Sequence, residues 1–195
     1  MKKFILFMFS FLMTGVAFSK DNLSASEKYG PGAVPEENGK VTFKASYPIQ
    51  NGMNLDECYE KMLSWAKGRF ALPYALNSNI VTENPEAHRF VFNVEQTLVF
   101  KKSAFESDES KIVYNFALNL NNGMCNVTIT DIKYRYEEDR YGGGQTFTAE
   151  DWITDKEAYN AKKTKFLKKT GKFRIKTIDM KDILFQRVQE ELGKR

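Results

Sequence analysis

The sequence predicts an α+β domain in which one antiparallel sheet carries its helices on one face. Several stretches alternate apolar and polar residues with a period of two, which is typical of half-buried strands. Asn121-Asn122-Gly123 joins two of these stretches as a tight hairpin turn. Other stretches repeat apolar residues at helical spacing. The predicted order is strand, helix, four strands and then helices, which an antiparallel sheet with helices on one face accommodates with short connections.

The first strand and the first helix are predicted just after residue 39. From Lys40 the residues Val41, Phe43, Ala45 and Tyr47 alternate with polar ones. Asn54 is expected to cap the helix that follows, with Glu57 three residues later as the second half of a capping box. The apolar stripe of this helix consists of Leu55, Cys58, Tyr59, Met62, Trp65, Ala66 and Phe70. Pro73 is expected to end it.

Four strands are predicted next, at about 79–83, 88–101, 112–120 and 125–136. Ser103 to Ser110 is interpreted as a polar loop between the second and the third. In the fourth strand Cys125, Val127 and Ile129 share one parity, whereas Ile132, Tyr134 and Tyr136 have the other. A one-residue bulge near Thr130-Asp131 is predicted from this change of phase.

Two helices are predicted at the C-terminal end. Asp139 to Gln145, with its three glycines, is interpreted as a loop. Thr154 and Glu157 form a capping box for a helix to about Lys169, which Gly171 would close. The last helix is predicted to start near Asp179. These elements make residues 40–192 a single domain, with a core at about 40–136 and C-terminal helices at 145–192.

The N-terminal residues predict export. Lys2 and Lys3 precede a run of roughly fifteen apolar residues that ends at Ser19, which is typical of a cleavable signal peptide over residues 1–19. Residues 20–39 are expected to be a flexible leader. We therefore expect a periplasmic or secreted protein with no transmembrane segment after cleavage. Loss of the two lysines lowers the formal charge from +4 to +2, which argues against a nucleic-acid partner.

Three stretches carry a resemblance to a known family. They are Gly39–Phe43 leading to the helix with Trp65-Ala66, Tyr114–Leu118 joined by the Asn-Asn-Gly turn to Val127–Ile129, and Phe173–Asp179. In these the chain resembles a family of exported bacterial proteins described as a domain of unknown function with a TBP-like fold. The resemblance implies one strand, one helix, four strands and one helix, here with an extra helix before the last. It implies no activity and no catalytic residue, and fold alone does not imply DNA binding.

The residues that most often carry catalysis are sparse. His88 is the single histidine of the chain, and its parity with Phe90 and Phe92 favours a structural place at the end of the core face. No metal-ligand spacing or phosphate-binding loop occurs. We therefore expect a non-enzymatic protein without catalytic residues, bound metal or cofactor. Cys58 and Cys125 fall in apolar stripes, and two alternatives stay open for them: a disulfide formed after export, or two buried thiols.

The candidate site is the polar face of the sheet. If the helices cover one face, the other presents amide, hydroxyl and cationic side chains to solvent, although antiparallel sheets commonly have such a face without any ligand. The residues predicted to bind there are Thr42, Lys44, Arg89, Asn93, Asn115, Asn119, Asn126 and Thr128. We expect a binding or scaffold domain whose partner is an envelope protein or a glycan. The alternative is a helix-grip protein that holds a small apolar ligand under its last helix.

Overall fold

The structure is a computed structural model that describes residues 25–49, 53–102, 107–138 and 143–194. The predicted signal peptide lies outside these residues. In chain order the elements are α1 (Ala25–Lys28), β1 (Glu36–Glu37), β2 (Lys40–Val41), β3 (Phe43–Pro48), α2 (Leu55–Arg69), β4 (Asn77–Asn84), β5 (Arg89–Lys102), β6 (Ser107–Asn121), β7 (Met124–Tyr136), β8 (Gln145–Thr148), α3 (Asp155–Ala158) and α4 (Lys168–Gly193). No described helix is long and apolar enough to cross a membrane.

The main sheet is antiparallel and has the order β3-β7-β6-β5-β4. The short strand β8 pairs with the end of β7, along the same edge that β3 occupies. Asn122 and Gly123 adopt positive φ angles of 48° and 72° in the β6–β7 turn, as a tight hairpin requires. The predicted bulge is confirmed: Asp131 has a φ of 53°, and the β6–β7 register shifts between Val113 and Asn115.

The two long helices pack against one face of this sheet. Asn54 caps α2 as predicted, since its Oδ1 accepts a hydrogen bond from the Asp56 amide at 2.9 Å. Phe70, just after α2, lies with its ring centroid 5.1 Å from that of Phe116 on β6. On α4, Phe173 packs against Tyr134 of β7 at 4.9 Å. The core therefore lies between the sheet and these helices, and the expected α+β arrangement of an antiparallel sheet with helices on one face is confirmed.

The C-terminal helices differ from the prediction. The helix expected from Thr154 to about Lys169 is the single turn α3, whereas α4 begins at Lys168 and passes through both Gly171 and Asp179 without a break. Gly171 does not end a helix, and its φ is not positive as it is at a helix-ending glycine. A Cβ at this position would lie 2.6 Å from the Cβ of Phe166, so the glycine lets that side chain pack closely. One buried stripe runs along α4 from end to end: Phe173, Thr177, Met180, Leu184, Val188 and Leu192.

The predicted leader is also corrected. Residues 20–24 lie outside the described part, but the segment from residue 27 to residue 41 packs onto the fold. Tyr29 donates its hydroxyl to Asp179 at 2.6 Å, and Val34 is only 5% exposed. The Val41 amide donates to Glu150 at 2.7 Å. Composition alone suggested flexibility, because the partners of this segment lie more than 100 residues away in the chain.

Candidate functional site

The predicted polar face lies on the side of the sheet opposite α2 and α4. The strand register places its residues in rows that cross the strands. One row contains Arg89, Asn119, Asn126 and Ser46, and another contains Asn93, Asn115 and Thr130. Between them lies a third row, in which the shorter side chains of Val91, Ala117 and Thr128 are followed by Lys44 at the β3 end. Two polar rows therefore border a shallow strip on the sheet surface.

The amide side chains of the row with Asn93 and Asn115 already form hydrogen bonds with each other and with Asp131. Asn93 donates its side-chain amide to Asn115 at 2.8 Å, and Asn115 donates to Asp131 at 3.1 Å. Asp131 also lies 3.7 Å from the Lys40 ammonium. Sequence reasoning did not include Asp131, although the change of phase at the bulge marked its position. These amides are held in fixed orientations and have fewer free donors for a ligand.

The other row keeps unused polar groups. Asn126 is engaged, because its Oδ1 accepts from Ser46 at 2.6 Å and its amide donates to Asn121 at 3.0 Å. In contrast, the side chains of Arg89 and Asn119 in this row, and that of Thr128 in the row between, have no hydrogen-bond or ion-pair partner among the described residues. Arg89 is exposed and faces Asn119 across the strands. Among the eight residues predicted to bind, the free hydrogen-bonding capacity is concentrated in these three side chains.

Two of the predicted residues contribute less to this face. Thr42 has the expected parity, but it is only 8% exposed and its hydroxyl lies 3.4 Å from that of Thr130. Lys44 is exposed and forms an ion pair with Glu37 of β1. Glu37 lies in the stretch that was predicted to be a flexible leader, so this stretch occupies one margin of the predicted site.

His88 joins the turn between β4 and β5 to the start of α2. Its Nε2 lies 2.7 Å from Asp56 Oδ1, and its ring meets that of Tyr59 edge to face at a centroid distance of 6.1 Å. The backbone of His88 has a positive φ of 45°. The hydrogen bond to Asp56 connects two elements of the fold. In the described residues no group of three or more histidine, cysteine, aspartate or glutamate side chains is arranged to hold a metal ion.

Both cysteines are free thiols buried in the core, Cys58 on α2 and Cys125 on β7. Burial raises the pKa of both, that of Cys125 to about 12. Near neutral pH the two groups are therefore protonated, and the thiol is a much weaker nucleophile than the thiolate.

The thiols give a first testable expectation. In the native protein without reductant, we expect neither thiol to react with Ellman's reagent within minutes at pH 8, because both are protonated and shielded. In guanidinium chloride two thiols per chain should react. Fewer than two in the denatured protein would show that the cysteines are bridged. A Cys58→Ser variant, with one reactive thiol after denaturation, provides the matched control.

The space under α4 bears on the helix-grip alternative. The ring of Phe173, on α4, lies between the sheet and Trp152, which precedes α3. Its centroid is 4.5 Å from that of the Phe100 ring, 5.3 Å from that of Tyr136 and 4.7 Å from that of Trp152. Such distances are those of packed aromatic side chains. This part of the interface is filled by the protein's own rings, and the geometry does not favour a ligand pocket there.

The chain is similar to one family model and to solved structures of two bacterial proteins. Residues 49–135 match the family model described as a domain of unknown function (DUF4468) with a TBP-like fold. A crystal structure of a DUF4468 family protein from Bacteroides ovatus is 31% identical, with a TM-score of 0.78 over 89% of this chain and 98% of that one. A TBP-like protein from Parabacteroides distasonis is 21% identical, with a TM-score of 0.66 over 83% of this chain and 97% of that one. No curated protein matches.

Proposed function

Because this chain belongs to the DUF4468 family, whose description names a TBP-like fold and no activity, we propose a function from the geometry of its sheet. The protein is a non-enzymatic binding domain that is exported to the periplasm or cell surface. It holds a polar envelope ligand, such as a glycan or a peptidoglycan fragment, on the sheet face opposite α2 and α4. The N-terminal signal-peptide pattern supports the compartment.

The observation that carries the proposal is the set of free polar groups on Arg89, Asn119 and Thr128. An amide both donates and accepts hydrogen bonds, a guanidinium donates up to five, and a hydroxyl does both. This combination matches the hydroxyl and acetamido groups of an amino sugar. The shorter side chains of Val91 and Ala117 lie beside these groups and leave a strip along which a linear ligand can cross the strands.

The proposal is tested with an array of glycans and peptidoglycan fragments and the chain from residue 20 onward. We expect saturable binding that an Arg89→Ala/Asn119→Ala double variant weakens at least about tenfold, because two hydrogen bonds to the ligand are lost. Gln186→Ala removes an exposed amide from α4 and should leave binding unchanged. An array on which the unmodified protein binds nothing, or equal binding by the double variant, would contradict the proposal.

A further inference from the structure

A second surface, independent of the sheet face, lies on the outer side of the helical layer. A groove of about 810 Å³ runs between α2 and α4, a volume in the range of small-molecule sites. Its wall contains four cationic side chains and a single carboxylate, together with two aromatic rings. The lining residues are Lys61, Ser64, Trp65, Gly68, Arg69, Tyr74, Ile183, Arg187, Glu191 and Lys194.

The cations from α4 are locally neutralised, whereas those from α2 are not. Arg187 lies 2.8 Å from Glu190, and Lys194 lies 2.6 Å from Glu191. Among the described residues no carboxylate lies within 4 Å of Lys61 or Arg69, and Lys61 donates only to the backbone carbonyl of Lys194. The positive charge of the groove that lacks a partner therefore comes from α2.

Arg69 is the more constrained of these two cations. Its guanidinium lies over the ring of Tyr74, 5.5 Å from the centroid, and over that of Phe70 at 5.9 Å. Its Nη1 is buried and has no hydrogen-bond partner among the described residues. A desolvated donor without an acceptor is unfavourable. An anionic group of a ligand beside Arg69 would supply the missing counter-charge.

Trp65 lies between the two unpaired cations on the same side of α2. Lys61, Trp65 and Arg69 are spaced four residues apart, so each lies about one turn from the next. Gly68 is exposed nearby, and nothing lies within 4 Å of the position that its Cβ would take. Glycine costs about 1 kcal/mol relative to alanine inside a helix, and its effect here is to leave the groove open beside the indole.

We propose that this groove binds a small organic phosphate, with the phosphate at Arg69 or Lys61 and an aromatic or aliphatic body against Trp65 and Tyr74. A guanidinium such as that of Arg69 can bind a phosphate through two parallel hydrogen bonds, and Lys61 adds a second positive charge to the same groove. The apolar body of the ligand would cover apolar side-chain surface that is otherwise in water, since Tyr74 is 63% exposed and Ile183 is 54% exposed.

The test is a titration followed by NMR of the indole N–H groups, because the chain contains two tryptophans. Phenyl phosphate is the probe. We expect a saturable shift of the Trp65 signal, assigned with a Trp65→Phe variant, and no shift of Trp152, which is 7% exposed in the core. Inorganic phosphate and phenol, each carrying one half of the probe, should bind at least about tenfold more weakly.

Three variants locate the site. Arg69→Gln and Lys61→Gln should each weaken phenyl phosphate binding several-fold, and Gly68→Leu should abolish it by filling open space. Lys67→Gln removes a cation of the same helix that is outside the groove, near Glu83 at 3.7 Å, and should have no effect. Gly68→Leu that folds and binds like the unmodified protein would overturn the proposal, as would the absence of any Trp65 shift.

A second arm distinguishes a soluble phosphate from a lipid headgroup. Vesicles of phosphatidylglycerol are sedimented with the protein and its variants. Vesicle binding that is lost in Gly68→Leu, together with phenyl phosphate binding, assigns a lipid phosphate to the groove. Phenyl phosphate binding without vesicle binding assigns a soluble ligand. Vesicle binding that Gly68→Leu retains, with no response to phenyl phosphate, would overturn the proposal.

Discussion

Replacement of Arg174 by alanine is expected to destabilise the folded protein by about 3–5 kcal/mol, the usual cost of breaking a buried ionic cluster. The Arg174 side chain is fully buried in α4. Its Nε donates to the Tyr29 carbonyl at 2.9 Å, its Nη1 to the Ile153 carbonyl at 2.7 Å, and its Nη2 to the Gly30 carbonyl.

The same guanidinium forms an ion pair with Asp155. Arg174 Nη2 lies 2.8 Å from Asp155 Oδ1, at an ion-pair distance without the alignment of a hydrogen bond. The other carboxylate oxygen of Asp155 accepts from the Gly32 amide at 2.8 Å. Alanine at position 174 would remove the guanidinium donor from all three carbonyls and the counter-charge from this carboxylate, in a space that water enters poorly. The Tyr29 carbonyl would still accept from the Tyr159 hydroxyl and the Gly30 carbonyl from the Ala33 amide, so the Ile153 carbonyl loses most.

Urea unfolding measures this effect. The expected free-energy loss should be accompanied by faster hydrogen exchange of the amides at residues 32–33, because Arg174 holds the N-terminal segment on α4. Arg187→Ala is the matched control: its side chain is 61% exposed on the same helix, and exposed ion pairs contribute about 0–1 kcal/mol. A loss below about 1 kcal/mol for Arg174→Ala would show that the buried cluster is not stabilising. If Arg174→Ala does not fold, Arg174→Lys, which keeps the charge but not the planar fork, should show an intermediate loss.

Replacement of Phe173 by alanine is expected to cost about 3–5 kcal/mol, as large-to-small substitutions of buried aromatic residues do. Phe173 is fully buried, and its ring meets those of Phe100, Tyr134, Tyr136 and Trp152 at centroid distances of 4.5–5.3 Å. These partners come from β5, β7 and the segment before α3. Removal of one ring therefore leaves a cavity where three parts of the chain meet.

Urea unfolding again measures the free energy of unfolding. The near-ultraviolet circular dichroism of Trp152, whose ring packs on Phe173, reports on the local packing and should weaken in Phe173→Ala. Phe173→Leu keeps most of the buried volume and should lose clearly less stability. Ile183→Ala, at a position of α4 that is 54% exposed, should change stability by less than about 0.5 kcal/mol. Equal losses for Phe173→Ala and Ile183→Ala would contradict this account of the core.

The candidate sites illustrate what sequence reasoning finds on a sheet and what it misses between helices. The parity of Arg89, Asn93, Asn115 and Asn119 is enough to place them on one face, because side chains alternate along a strand. Parity along a strand does not show which of these side chains lack a hydrogen-bond partner. Asn115 is engaged by Asp131, whose position depends on the bulge, whereas Asn119 is not. The α2–α4 groove joins residues more than 100 positions apart in the chain, and no local pattern indicates it.

Elements whose signals lie within a few neighbouring residues can be predicted from the sequence. The period-two alternation, the Asn-Gly turn, the Asn54 cap and the change of phase at Asp131 each act within a few residues, so α2, β3, β4, β5, β7 and most of β6 follow from them. The interpretation of Ser103–Ser110 as a loop is wrong from Ser107, where β6 begins, and the short strands β1 and β8 were not predicted. Three features depend instead on contacts between distant parts of the fold: the continuity of α4 through Gly171, the packing of residues 27–41 and the burial of Arg174. At position 171 the close packing of Phe166 leaves no room for a Cβ. The N-terminal segment is held on α4 because Arg174, 144 residues after Gly30, donates to its carbonyls. Contacts of that sequence separation leave no periodicity in the chain, and their stabilisation exists only once the fold has formed.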